Sequence, residues 1–283
     1  MVTFREIVDY IKLEHTVFDL PFVFSGAVIA SGTHYDWFKF LMILVATTTA
    51  RAAAMSINRI EGKKYDVTNP RKREWSLVRG SMSTSTALLL TAVFVVIFEV
   101  SAYLLNTLVL MLSPVVLFLF VTDPFMKKVT RWRHIYMGTT IGVGVLAGYL
   151  AVTPVFPTDP QIYLIFIASS LWIAGFDMIY VIPDIEFDRK NNLKTVMTEY
   201  PVKTGLRISV ATHVVTFAAL ALLIFYFSTI YYAVALAIIL ALIIYQHYII
   251  NPDDPRTIRM SFLGANSFIG IIFLASIVLS LNF

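Results

Sequence analysis

The chain has 283 residues, 58% of them hydrophobic and only 14% charged, with a net charge of +4. A soluble domain carries about a quarter charged residues, so composition leaves a polytopic membrane protein as the class. The absence of cysteine excludes disulfides, thiolate catalysis and cysteine-based metal sites, and the basic balance fits cytoplasmic loops rather than a nucleic-acid surface.

The first 16 residues, MVTFREIVDYIKLEHT, are amphipathic and charged. They lack the short apolar core and small-residue cleavage site of a signal peptide, and are expected to lie along the membrane interface. Nine stretches long enough to span follow: 17–31, 38–60, 83–103, 105–125, 134–153, 161–182, 206–228, 230–250 and 260–281. The turns near 103–106 and 228–230 are very short.

The second span runs into ARAAAMSINRIEGKKYDVTNPR, residues 50–71. Arg51, Asn58, Gly62 and Asp66 stand at i, i+7, i+11 and i+15, one helix face. Arg51 sits inside the span, where a charge is costly without an anion. The loop beyond carries Lys63, Lys64, Arg71, Lys72, Arg73 and Arg79. The fourth span ends in TDPFMKKVTR and the eighth in PDDPRTIR. The sixth closes on AGFDMIYVIPDIEFDRK, residues 174–190. There Asp177, Tyr180, Asp184 and Asp188 follow at i, i+3, i+7 and i+11, again one face, while Glu186 points elsewhere. Pro183 removes a backbone donor and should kink the helix.

Lysine and arginine crowd alternate loops, and the other loops contain only Lys39. This places the N-terminus and the basic loops in the cytoplasm and the C-terminus outside. The shared motifs of spans 2 and 6 and of spans 4 and 8 hint at two four-helix halves, about 1–130 and 131–258, plus a ninth helix, within one transmembrane domain spanning 1–283.

Stacked carboxylates beside hydrocarbon stay ionised only where cations compensate them. Two helices that bring hard oxygens to one membrane side, among basic residues, suit a diphosphate bridged by Mg2+. Metal and basic side chains would stabilise departing pyrophosphate while an allylic C–O bond ionises. Phe22, Phe24, Phe118, Phe120, Tyr149 and Trp172 are candidates to line an apolar cavity and shield a cation, although core packing explains any one of them as well.

These motifs resemble those of the UbiA superfamily of intramembrane prenyltransferases along nearly the whole chain. DMIYVIPDIEFD is similar to a D-x-x-Y-x-x-x-D-x-x-x-D motif, and RAAAMSINRIEGKKYDVTNPR to an N-x-x-x-D-x-x-x-D motif with upstream Arg and trailing N-P-R. The resemblance implies nine helices around a central cavity with the active site on the cytoplasmic side. It implies Mg2+ held by Asn58, Asp66, Asp177, Asp184 and Asp188, catalytic roles for Asp66, Asp177, Asp184 and Tyr180, and diphosphate contacts from Arg51, Asn58 and Arg71. DPFMKK resembles a Y-P-x-x-K-R stretch and implies Lys127 as a further diphosphate contact.

The chain departs from the family pattern in four places. Gly62 replaces the middle Asp of the first motif with Glu61 one residue earlier, Pro183 stands where many relatives are polar, Asp123 replaces a Tyr, and Trp75 replaces the second Arg of R-T-x-x-R. Glu61 lies about 100° away on an ideal helix and could substitute only where the helix end unwinds. The implied partners are a prenyl diphosphate, an aromatic or lipid acceptor and membrane lipid, with no nucleic acid. The favoured reaction is prenylation of an aromatic ring in quinone biosynthesis. The alternatives are ether-lipid synthesis on a glycerol phosphate lipid, haem farnesylation and, from another class, a cation-coupled transporter.

Overall fold

The computed structural model describes residues 2–283, and every regular element among them is helical. The N-terminal segment forms α1, Phe4–Ile11. Its start is fixed reciprocally: Glu6 N donates to the Thr3 hydroxyl at 3.2 Å, and Thr3 N donates to the Glu6 carboxylate at 2.9 Å, a capping box. Tyr10 and Ile11 on α1 are buried. A 3-10 turn, Leu13–His15, leads into α2, Thr16–Ser31. The next spans are α3 (Trp37–Asp66), the short α4 (Ser76–Arg79), α5 (Thr84–Leu105), α6 (Thr107–Val129), α7 (Arg133–Val152) and α8 (Pro160–Tyr180). The short α9 (Ile185–Lys190) and α10 (Val196–Glu199) precede α11 (Val202–Leu222), α12 (Ile230–Tyr248), α13 (Pro255–Arg259), a π-helical run Met260–Ala265 and α14 (Asn266–Asn282).

Nine helical stretches among the described residues are long and apolar enough to cross a bilayer, and each matches one of the nine expected spans. The largest difference is at the end of α3, which continues six residues past the expected boundary, to Asp66. At 1.5 Å per residue, its 30 residues make a rod of about 45 Å, longer than the ~30 Å hydrocarbon layer. Charged residues end the apolar run at Glu61, but Lys63, Lys64 and their neighbours remain good helix formers in water. At the other membrane face Asn106 alone separates α5 from α6. Its Oδ1 accepts from Val109 N at 3.0 Å and its Nδ2 donates to Leu150 O at 2.9 Å, so one side chain caps the new helix and ties it to α7.

Each spanning helix packs on the next in chain order, and α14 returns to α2, closing a circuit. Contact between α2 and α7 cuts across it. That crossing is close because of glycine: a Cβ on Gly26 would strike Val145 O, and one on Gly148 would strike Val23 O. Small residues of this kind let membrane helices approach backbone to backbone. The crossing divides the bundle. The compartment among α2, α7, α8, α11, α12 and α14 is filled by a core that includes Phe22, Trp172, Tyr232 and Phe273. The compartment among α2, α3, α5, α6 and α7 is hollow.

Candidate active site

The hollow holds a cavity of about 630 Å³. Along α6 its wall runs from Val109 to Lys127, about 27 Å at 1.5 Å per residue. The far end is apolar, with Leu105, Val109, Leu112 and Phe156. The near end is polar and lies where the basic loops gather. There the residues from the two halves of the sequence meet.

Pro183 does more than kink a helix. α8 stops at Tyr180, Pro183 falls within a 3-10 turn, Ile182–Asp184, and α9 begins at Ile185. Asp177 is therefore on a spanning helix, Asp184 on the turn and Asp188 on a separate short helix. All three still line the cavity, and Glu186 is exposed.

Each acidic residue has a different setting. Asp177 is 9% exposed; its Oδ2 accepts from His134 Nδ1 at 2.7 Å and lies 3.5 Å from Arg133 Nη2. Asp184 lies 2.8 Å from Arg71 Nη1 and accepts from Asn69 Nδ2 at 3.1 Å. Asp188 has no cation in ion-pair range among the described residues. Burial, and then the Asp184 carboxylate beside it, push its carboxyl up to about 6, so an arriving cation would restore its charge. Asp66 is 4% exposed and bonded to Lys72 at 2.8 Å; it is not part of the cavity wall, whereas Lys72 is.

The remaining expected residues also reach the cavity. Asn58 lines it from α3, as Asp184 and Asp188 do from the turn after α8 and from α9. Arg51 lines it too, but carries an anion of its own, Asp19 of α2, to which it is hydrogen-bonded. Lys127 lines the cavity with no carboxylate in ion-pair range among the described residues. Tyr180 packs its ring 4.3 Å from that of Phe262, and both line the wall. Glu61 does not: α3 stays helical through Gly62, and Glu61 pairs with Lys64 at 2.7 Å and Lys128 at 2.8 Å.

Of the aromatic candidates only Phe120 lines the cavity. Phe22 and Trp172 belong to the filled compartment, with Tyr149 packed against it. Phe24 stacks on Phe40, and Phe118 is 63% exposed on the outer face. The other phenylalanines of the wall are Phe18, Phe98, Phe156, Phe176 and Phe262, joined by Tyr180 and Trp75. Periodicity assigns a residue to a helix face but not to a neighbour.

Sequence reasoning also missed Arg133, His134, Asn69, Lys72, Asp19 and Arg59. Lys72 stands in the sequence among the loop charges after the second span, and Arg133 one residue before the expected fifth span. Asn69 had a signal, the N-P-R that trails the first motif; its Oδ1 accepts from Arg71 N at 3.0 Å, which holds the turn that aims Arg71 at Asp184.

Among the described residues no three acidic or imidazole groups cluster closely enough to form a metal site unaided. Mg2+ dehydrates reluctantly and is bound through one or two carboxylates plus substrate phosphates and water. Asp184, Asp188 and Asn58, all in the cavity wall, offer hard oxygens of that kind.

Comparison with known proteins gives one consistent answer. A sequence model described as the UbiA prenyltransferase family matches residues 20–277. A 4-hydroxybenzoate octaprenyltransferase of Nitrosococcus oceani is 31% identical over 241 residues, 83% of this chain and 82% of that protein. One from Aliivibrio fischeri is 29% identical, over 85% and 84%. Among solved structures, the apo structure of a UbiA homolog from Aeropyrum pernix K1 superposes with a TM-score of 0.84 at 30% identity, over 94% of this chain and 98% of that one. A UbiA homolog from Archaeoglobus fulgidus bound to GPP and Mg2+ shares the fold, with a TM-score of 0.75 at 17% identity over 98% and 100%.

Proposed function

The chain belongs to the UbiA prenyltransferase family, and on that footing we propose that it transfers a prenyl chain from an allylic diphosphate to the ring of a hydroxylated aromatic acceptor. The observation that carries this reading is the meeting of Asn58, Arg71, Lys127, Asp184 and Asp188 at the polar end of one long apolar cavity. A diphosphate fits the polar end and an isoprenyl tail fits the ~27 Å run along α6.

Mg2+, held by Asp184, Asp188 and Asn58 together with phosphate oxygens, would neutralise charge that builds on the leaving group. Lys127 and Arg71 hold further phosphate oxygens. Arg71 is tethered to Asp184, so the same contact orients it before substrate arrives. Cleavage of the C1–O bond sends the electron pair to pyrophosphate and leaves an allyl cation. The aromatic walls exclude water and can stabilise that cation through their ring faces. An electron-rich ring carbon attacks C1, and the ring proton passes to the released pyrophosphate, which restores aromaticity. Asp177 acts differently: fixed by Arg133 and His134, it sets the wall on which Asp184 stands. Asp66 holds Lys72 toward the cavity. The aromatic acceptor is favoured because the relatives from Nitrosococcus oceani and Aliivibrio fischeri are named for 4-hydroxybenzoate. By the distribution of Lys and Arg, the polar end faces the cytoplasm.

The test is a product assay. Purified protein is incubated with Mg2+, a prenyl diphosphate, and either 4-hydroxybenzoate or a prenylated glycerol phosphate, and products are read by mass. A ring-prenylated acid supports the proposal; an ether product alone, or no product from any acceptor, overturns it.

A further inference from the structure

A second hollow lies on the outside of the bundle. It is a groove of about 650 Å³ between α12 and the π-helical run that leads into α14, and it shares no lining residue with the substrate cavity. Leu242 and Tyr245 line it from α12, Leu263 and Phe268 from the other side, and Arg256 and Arg259 of α13 join it where the chain arrives from the basic loop. Its floor is open at Gly264, where an added Cβ would meet nothing within 4 Å. A π turn is rare and is found mostly at functional sites. Here the same run carries Phe262 into the cavity wall against Tyr180, so the turn is a partition with the cavity on one side and the groove on the other.

Tyr245, Met260 and Phe268 are exposed. In a chain that crosses the bilayer such a surface meets lipid tails rather than water, which accounts for the apolar walls but not for the arginines. Arg256 and Arg259 stand at i and i+3, on one face of α13. Both are exposed, and neither forms an ion pair among the described residues. The acids of the preceding turn do not compensate them. Asp254 Oδ1 accepts from Arg256 N at 2.9 Å and caps the helix, and Asp253 makes no ion pair among the described residues either.

Two guanidinium forks at the headgroup end of an apolar groove match a phosphate joined to an acyl chain. Charge alone does not make this pattern: Lys203 and Arg207 are equally exposed on α11, at i and i+4, but neither lines a groove. We propose that the groove between α12 and the π-helical run binds an anionic phospholipid, its phosphate held by Arg256 and Arg259 and an acyl chain laid along Leu242, Tyr245, Leu263 and Phe268. The site is separate from prenyl transfer and does not depend on the acceptor.

The experiment titrates the full chain in a mild detergent with dioleoyl phosphatidylglycerol or dioleoyl phosphatidylcholine and counts bound lipid by native mass spectrometry. Wild type is expected to bind one phosphatidylglycerol, about tenfold or more tighter than phosphatidylcholine. Arg256→Gln with Arg259→Gln should weaken it by about 10- to 30-fold, the effect of two cationic side chains near a headgroup. Lys203→Gln with Arg207→Gln should change it by less than about twofold. Gly264→Leu fills the groove and leaves both arginines in place. It should weaken phosphatidylglycerol by about tenfold, and decides the matter if the double arginine variant does not fold. Equal affinity for the two lipids, an equal loss in the α11 variant, unchanged binding by Gly264→Leu, or displacement of the lipid by an equal concentration of inorganic phosphate overturns the inference.

Discussion

Asn69 Nδ2 donates to Asp184 Oδ1 at 3.1 Å, joining residues 115 positions apart in the chain. The turn after α3 and the turn after α8 are thereby latched before any substrate is present. Arg71, two residues on, reinforces the latch at 2.8 Å. Asp177 and Asp184 are about equally shielded, at 13% and 15% side-chain exposure, but their arginine partners are not: Arg133 is 13% exposed and Arg71 42%.

Asp177 and Asp184 should respond differently to the same substitution. Asp177→Asn leaves Arg133 buried without its anion, a loss of about 3–5 kcal/mol, and should lower Tm as well as activity. Asp184→Asn removes a partner from Arg71, whose side chain is 42% exposed, so the stability change should stay under about 1 kcal/mol while turnover is lost. Thermal unfolding in detergent beside an activity assay separates the two; equal Tm losses would contradict the assigned roles.

Glu61→Gln should leave the Mg2+ dependence of turnover unchanged. Glu61 spends its carboxylate on Lys64 and Lys128 and lies outside the cavity wall. A rightward shift of the Mg2+ titration by tenfold or more would show that the end of α3 unwinds in the working enzyme and brings Glu61 inward.

Much of this arrangement was legible in the sequence. Nine apolar runs, one-sided lysine and arginine, and DMIYVIPDIEFD located the helices and the second acidic cluster, because hydropathy and helical period are local. Contacts between helices were not legible. Nothing local says that His134 meets Asp177, that Asp19 meets Arg51, or that Arg59 stacks on Trp75. The end of α3 was placed too early because a hydropathy window stops at charge, while the helix does not. The aromatic lining was mostly misassigned because the bundle has one hollow and one filled compartment, and a helix such as α2 faces both.

Chelation with EDTA should stop turnover without lowering Tm of the substrate-free protein. Asp66, Asp177 and Asp184 already have protein cations as partners, so the fold does not need a metal to neutralise them. A large drop in Tm on chelation would mean that a tightly held ion is part of the resting structure.

Gly26→Ala should destabilise the protein by about 1–3 kcal/mol, the usual range for overpacking, because the added Cβ meets the Val145 carbonyl, which is backbone and cannot rotate aside. Gly264→Ala is the control, since nothing lies within 4 Å of a Cβ there. The difference in Tm between the two variants reads the closeness of the α2–α7 crossing.

The account depends above all on one leaving group touching both sides of the latch. Mg2+-dependent release of pyrophosphate from a prenyl diphosphate, measured for wild type, Asn58→Ala on α3 and Asp188→Ala on α9, tests this directly. Both variants are predicted to lose at least a hundredfold in kcat/KM, with the wild-type rate vanishing in EDTA. Full activity in either variant, or metal-independent release by the wild type, would contradict it.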